Sequence, residues 1–170
     1  MFHPFQSIPN QVYGKIFWSL FFLSIFLLAV FQVIPLPDIV QFELNAAQVI
    51  KSWDEAEKIR AAFSLGLDFL FIVVYSNTLS LGCIYAANIF KQRIPLESIG
   101  ILLAWAQWLA ALLDIGENIF LLNILFISVV NPWSQLARWC AIFKFILILV
   151  AVLYTLSGFA VKKVAIKLNT

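Results

Sequence analysis

Residues 98–129 read SIGILLAWAQWLAALLDIGENIFLLNILFISV. The run holds no basic residue and only two acids, Asp114 and Glu117. As a helix rising 1.5 Å per residue it is about 48 Å long, more than the roughly 30 Å of a bilayer's hydrocarbon core. The stretch therefore predicts a membrane helix that tilts or protrudes. Its polar residues are not scattered. At 100° per residue, Gln107, Asp114 and Asn118 share one face with Ala104 and Ala111, and Glu117 lies at its edge. A charged group in hydrocarbon costs at least about 3 kcal/mol, so that face is expected to turn inward and find partners.

Three further apolar runs surround this one. The first, Ile16–Ile34, follows Lys15 and precedes Pro35-Leu36-Pro37, which end a helix. It lacks the short apolar core and small-residue cleavage site of a signal peptide, and reads as a retained anchor. The second spans 61–90, and the last spans 136–161, followed by Lys162, Lys163 and Lys167. Lys91-Gln92-Arg93-Ile94-Pro95 and Asn131-Pro132-Trp133-Ser134 are short turns. Short connections favour antiparallel neighbours, so the expectation is one all-α domain, an up-down bundle of four membrane helices.

Composition agrees. Of 170 residues, 63 % are hydrophobic and 12 % charged, whereas a soluble domain is nearer half apolar and a quarter charged. The net charge of +2 and the lack of any long basic run exclude a nucleic-acid partner. With His3 the only histidine, and Cys83 and Cys140 in separate apolar runs, no zinc, haem or iron–sulfur framework exists. No cofactor and no metal are expected, and both cysteines read as buried small hydrophobes.

Most charge outside the spans lies in residues 38–60. Asn45 is a good N-cap, and 46–60 reads as an amphipathic helix with Val49, Ile50, Trp53 and Ala56 on one face. That face suits a membrane surface or the rim of the bundle. Lys15, Lys91, Arg93, Lys162, Lys163 and Lys167 fall at one end of the bundle. Lys51, Lys58, Arg60 and Arg138 fall at the other, diluted by acids. The positive-inside rule then puts both termini in the cytoplasm and the 46–60 helix outside it. Trp133 and Trp139 fit the outer aromatic belt, Tyr13 and Trp18 the inner one.

Within the spans, Ser64, Asp68, Tyr75 and Gly82 share a face of the second helix, and Lys144, Ala151, Thr155 and Gly158 a face of the fourth. Such stripes mark packed membrane helices. The first helix is apolar apart from Ser24 and Gln32, and should see the most lipid. Counted from the outer boundary, Asp68 lies about 10 Å deep and Lys144 about 8 Å, with Asp114 and Glu117 about 18–22 Å deep. This predicts an Asp68–Lys144 ion pair, and below it a group of Asp114, Glu117 and Asn118 with Tyr75.

Two readings of these residues stand. Either they form a network that sets helix register, or they bind a proton, cation or polar ligand. Asp114 and Glu117, three apart, offer two oxygens to a hard cation, but such pairs are common on helices. Trp105 and Trp108 read as packing residues, or as the lining of a lipid groove.

Leu67-Asp68-Phe69-Leu70-Phe71 with Tyr75, and Leu113-Asp114-Ile115-Gly116-Glu117-Asn118, together with Phe42-Glu43-Leu44 and Trp53, resemble a group of small uncharacterised bacterial membrane proteins over residues 42–123. The resemblance implies four helices and a bacterial inner membrane, and no activity. The candidate site residues are Asp68, Tyr75, Asp114, Glu117, Asn118 and Lys144. Three roles follow, in order. The first is a structural or accessory component of a membrane complex, with a membrane protein partner. The second is an oligomeric transporter or channel component using the acidic cluster. The third is an enzyme acting on a lipid or isoprenoid, with the carboxyls and Lys144 as acids and bases. With His3 alone at the terminus, no Ser-His or Cys-His pair is available, so the reading leans away from catalysis.

Overall fold

The computed structural model describes residues 2–33, 39–127 and 132–168. After a short turn at Pro4–Ser7 come five helices: α1 (Asn10–Val33), α2 (Ile39–Val49), α3 (Glu55–Ile89), α4 (Ile94–Phe126) and α5 (Trp133–Leu168). The described residues contain no strand. Four of the helices, α1, α3, α4 and α5 as far as Val164, are long and apolar enough to cross a membrane. They run alternately up and down, in the expected four-helix bundle. The expected ends of the first and third spans, and the Pro35/Pro37 break, fall outside the described residues.

The helix boundaries have local causes. Asp54 caps α3: its carboxylate accepts from the Glu57 amide at 2.7 Å, and the Glu57 carboxylate accepts from the Asp54 amide at 2.8 Å. Glu55 and Glu57 also place negative charge at the positive end of the helix. Pro95 sits in the first turn of α4, where a missing amide costs nothing.

This cap explains a difference from the sequence reading. Residues 46–60 are not one helix. Asn45 interrupts α2 with non-helical backbone (φ −142°, ψ 41°), and the helical stretch after it lasts only to Val49. One 3-10 turn, Ile50–Ser52, and an extended Trp53 follow before α3 begins. Asp54, with its reciprocal Glu57, is the stronger cap and restarts the helix there. The apolar face of the segment turns to the rim of the bundle. Phe42, Ala46, Ile50 and Trp53 pack with Leu65, Leu121 and Ala137, and the Phe42 and Trp53 rings lie 4.6 Å apart.

α3 is the enclosed central helix, lying against α1, α4 and α5. α1 buries only Ser24 and Leu27, and its Trp18, Phe22 and Phe26 point outward. Small residues let α3 and α5 approach. A Cβ on Gly158 would lie 2.5 Å from Ala86 Cβ and 2.8 Å from its Cα. Cys83 is buried as expected, but Cys140 is half-exposed, because its position on α5 turns toward the bundle edge.

Candidate functional site

The site forms where α2, α3, α4 and α5 converge. Asp114 and Lys144 meet because each stands at nearly the same distance from the α4–α5 turn. Asp114 is about 18 Å of helix before the end of α4, and Lys144 about 16 Å after the start of α5. Antiparallel packing therefore sets them side by side. Lys144 Nζ donates to Asp114 Oδ1 at 2.5 Å. Tyr75 Oη, from α3, donates to the other oxygen, Oδ2, at 2.8 Å. Asp114 is thus held on both oxygens by groups from two different helices.

Glu117, one turn further along α4, brings Oε2 to 2.8 Å from the same ammonium. The other oxygen, Oε1, has no hydrogen-bond donor among the described residues. Glu117 is fully buried, more central than its expected place at the edge of the face. Glu43, from α2, lies 4.0 Å from Lys144 Nζ. Burial pushes the Glu43 carboxyl up to about 7, against the opposing pull of Lys144. Asp68 is half-buried at the side of the cluster and accepts from Asn118 Nδ2 at 2.7 Å.

All six sequence-predicted residues are therefore brought to one place, but their pairing differs. The expected Asp68–Lys144 ion pair is replaced by Lys144 with Asp114 and Glu117. The depth count for Lys144 starts too far along α5. The helix begins at Trp133, so Lys144 lies level with the deeper acids. Glu43 is the residue that the site reading misses. It stands in Ile39-Val40-Gln41-Phe42-Glu43-Leu44, ahead of the expected 46–60 helix and outside every element expected from the sequence.

The cluster is not sealed. A cavity of about 360 Å³ opens beside it, between α1 and the α3/α5 side of the bundle. Glu43, Asp68, Tyr75, Asp114 and Lys144 line one part, and Phe21, Ile25, Leu28, Phe71, Phe145 and Ile148 the rest. Ser24 and Thr78, 3.3 Å apart, also face it. The space is thus polar at one end and apolar along its length. Among the described residues, no three His, Cys, Asp or Glu side chains are placed so as to hold a metal ion.

His3 is also a surprise. It is buried between Trp105 and Trp108 of α4, with ring centroids 4.9 Å from each. Its Nδ1 accepts from the Phe5 amide at 3.2 Å, so Nε2 carries the proton, and Nε2 has no acceptor among the described residues. Trp105 and Trp108 therefore pack, as one of their two readings held, and what they pack is the N-terminal segment.

Fold and site together define a multi-pass α-helical membrane protein with a cluster of ionisable side chains inside its spans. No family model, curated protein or solved structure matches the chain.

Proposed function

We propose that this protein binds a membrane amphiphile with a cationic or hydrogen-bond-donating head, taken up from the lipid through the cavity beside α1. The observation that carries this reading is the joining of the charge cluster to an apolar space. Glu43, Asp68, Asp114 and Glu117 oppose a single Lys144. A network serving only to fix helix register is closed by its own partners, whereas this one has a surplus of acceptors at the mouth of a cavity. Those acceptors suit a positive or donor-rich head, and Phe21, Leu28 and Phe145 suit a hydrocarbon tail.

In this account the end bearing Lys15, Lys91, Arg93 and Lys162 is cytoplasmic, as the excess of basic residues supports. α2 and the α4–α5 turn then lie at the outer face of a bacterial inner membrane. Glu43 reaches the cluster from that side, so α2 covers its outer end.

A second reading, an accessory subunit of a larger complex, draws on the broad apolar face of α1, with Trp18, Phe22 and Phe26 outward. Native mass spectrometry of gently extracted protein separates the two. The amphiphile reading expects a small bound molecule on the wild type that is lost from Asp68→Asn. That variant spares the Lys144–Asp114 pair and keeps the fold. A stoichiometric polypeptide partner, with no small molecule sensitive to Asp68, would replace it with the accessory role.

A further inference from the structure

The opposite end of the molecule carries a second cavity, of about 440 Å³, between the start of α1 and the ends of α3 and α5. Its chemistry is the reverse of the first. Its lining includes Lys162 and no acid. Lys162 Nζ donates to Tyr85 Oη at 2.5 Å and lies 5.0 Å from the centre of that ring. One donor of the ammonium is thereby committed and two remain. The Tyr85 hydroxyl, having accepted from lysine, still has its own proton to give. Asn10 and Asn88 add side-chain amides to the same wall.

Lys162 stands about 43 Å of helix beyond the start of α5, past a hydrocarbon core of roughly 30 Å and at the level of lipid headgroups. Tyr85 stacks on Phe159 with centroids 5.0 Å apart, and Phe159 neighbours Phe17 at 6.2 Å. These rings continue the pocket as an apolar wall toward the membrane. Gly14 leaves the α1 side open, since a Cβ there would meet nothing within 4 Å.

We propose that this cavity is a binding site for an anionic phospholipid. Its phosphate is held by Lys162 and the Tyr85 hydroxyl, and one acyl chain lies along Phe17, Trp18 and Phe159. A headgroup carrying its own cation would bring a second positive charge to Lys162, so phosphatidylglycerol is preferred over phosphatidylcholine. The assignment rests on other residues than the cluster around Lys144, and Asp68→Asn leaves it unchanged.

The test uses the full chain, delipidated in a neutral detergent and supplied with either phospholipid, with lipid retention read by native mass spectrometry. One retained phosphatidylglycerol per chain is expected, with phosphatidylcholine held less. Lys162→Gln, at an exposed position, reduces retention about fivefold, the equivalent of roughly 1 kcal/mol for a basic residue at the membrane surface. Lys163→Gln, which does not line the cavity, leaves it intact, and the unfolding temperature of both variants matches the wild type. Equal retention of the two lipids overturns the proposal, as does an equal loss in Lys163→Gln, which marks unspecific surface attraction. Displacement of the lipid by millimolar inorganic phosphate also overturns it, in favour of a site for free phosphate.

Discussion

Lys144 Nζ lies 2.5 Å from Asp114 Oδ1, and the two residues are almost equally far from the turn that joins their helices. The pair is a consequence of hairpin register, and the rest of the cluster is built around it. A buried ion pair costs desolvation, so its removal as a pair is tolerated far better than the removal of one member.

Lys144→Met leaves Asp114 and Glu117 buried without a cation. We expect a loss of about 3–5 kcal/mol in stability. The double variant Lys144→Met, Asp114→Asn recovers part of it. Unfolding in mixed micelles with increasing denaturing detergent measures both. A single variant as stable as the wild type contradicts the structural account of the cluster.

Tyr75→Phe removes the donor to Asp114 Oδ2 and nothing else. The expected loss is about 1–2 kcal/mol, in the range for a hydrogen bond to a charged group lessened by membrane context. Stability measured in the same way checks it, and Phe71→Leu, beside the same ring, serves as a packing control.

The helices themselves are legible in the sequence because hydrophobic length and small-residue stripes are local properties, and Asp114, Asn118 and Tyr75 fall on predictable faces. What escapes is relational. Glu43 is invisible as a site residue because its approach depends on α2 folding back beneath α5. The partner of Lys144 depends on where α5 starts, and the helix starts at Trp133, three residues before the Leu136 expected from the sequence. His3, alone near a terminus, has no periodic pattern to announce its burial between Trp105 and Trp108.

Glu43 makes α2 sensitive to pH. Its carboxyl is raised by burial from 4.5 to about 7, with Lys144 opposing and Asp68 and Asp114 reinforcing the rise. A raised acid binds its proton more tightly when folded, so docking of α2 is strongest below pH 4.5. It weakens as pH rises from there through about 7. The protection of the Ile39–Val49 amides, taken relative to their intrinsic exchange rate at each pH, should fall across that interval, and Glu43→Gln should flatten the response. An unchanged profile in the variant removes Glu43 as the cause.

His3 works in the opposite sense. Burial lowers its pKa below the ordinary 6.5, so the folded segment favours the neutral ring. Docking of the N-terminal segment on Trp105 and Trp108 is complete above that value and is lost as pH falls below it through the lowered pKa. Tryptophan fluorescence in detergent should change over this acid range in the wild type, and that change should be absent in His3→Phe.

Gly158→Leu forces a side chain into the backbone of Ala86. Overpacking of this kind costs typically about 1–3 kcal/mol and separates α3 from α5. A wild-type unfolding profile for this variant contradicts the close packing of these two helices.

In the function proposed above, the Lys144 cluster serves a ligand reached from the lipid. An experimental structure of the wild-type protein in lipid nanodiscs tests it most directly. Non-protein density is expected between Leu28 and Phe145, with its polar end within hydrogen-bond reach of Asp68, Tyr75 or Asp114. A cavity closed by α1 against α5, with every carboxylate of the cluster paired within the protein, would contradict it and leave the cluster as a structural network.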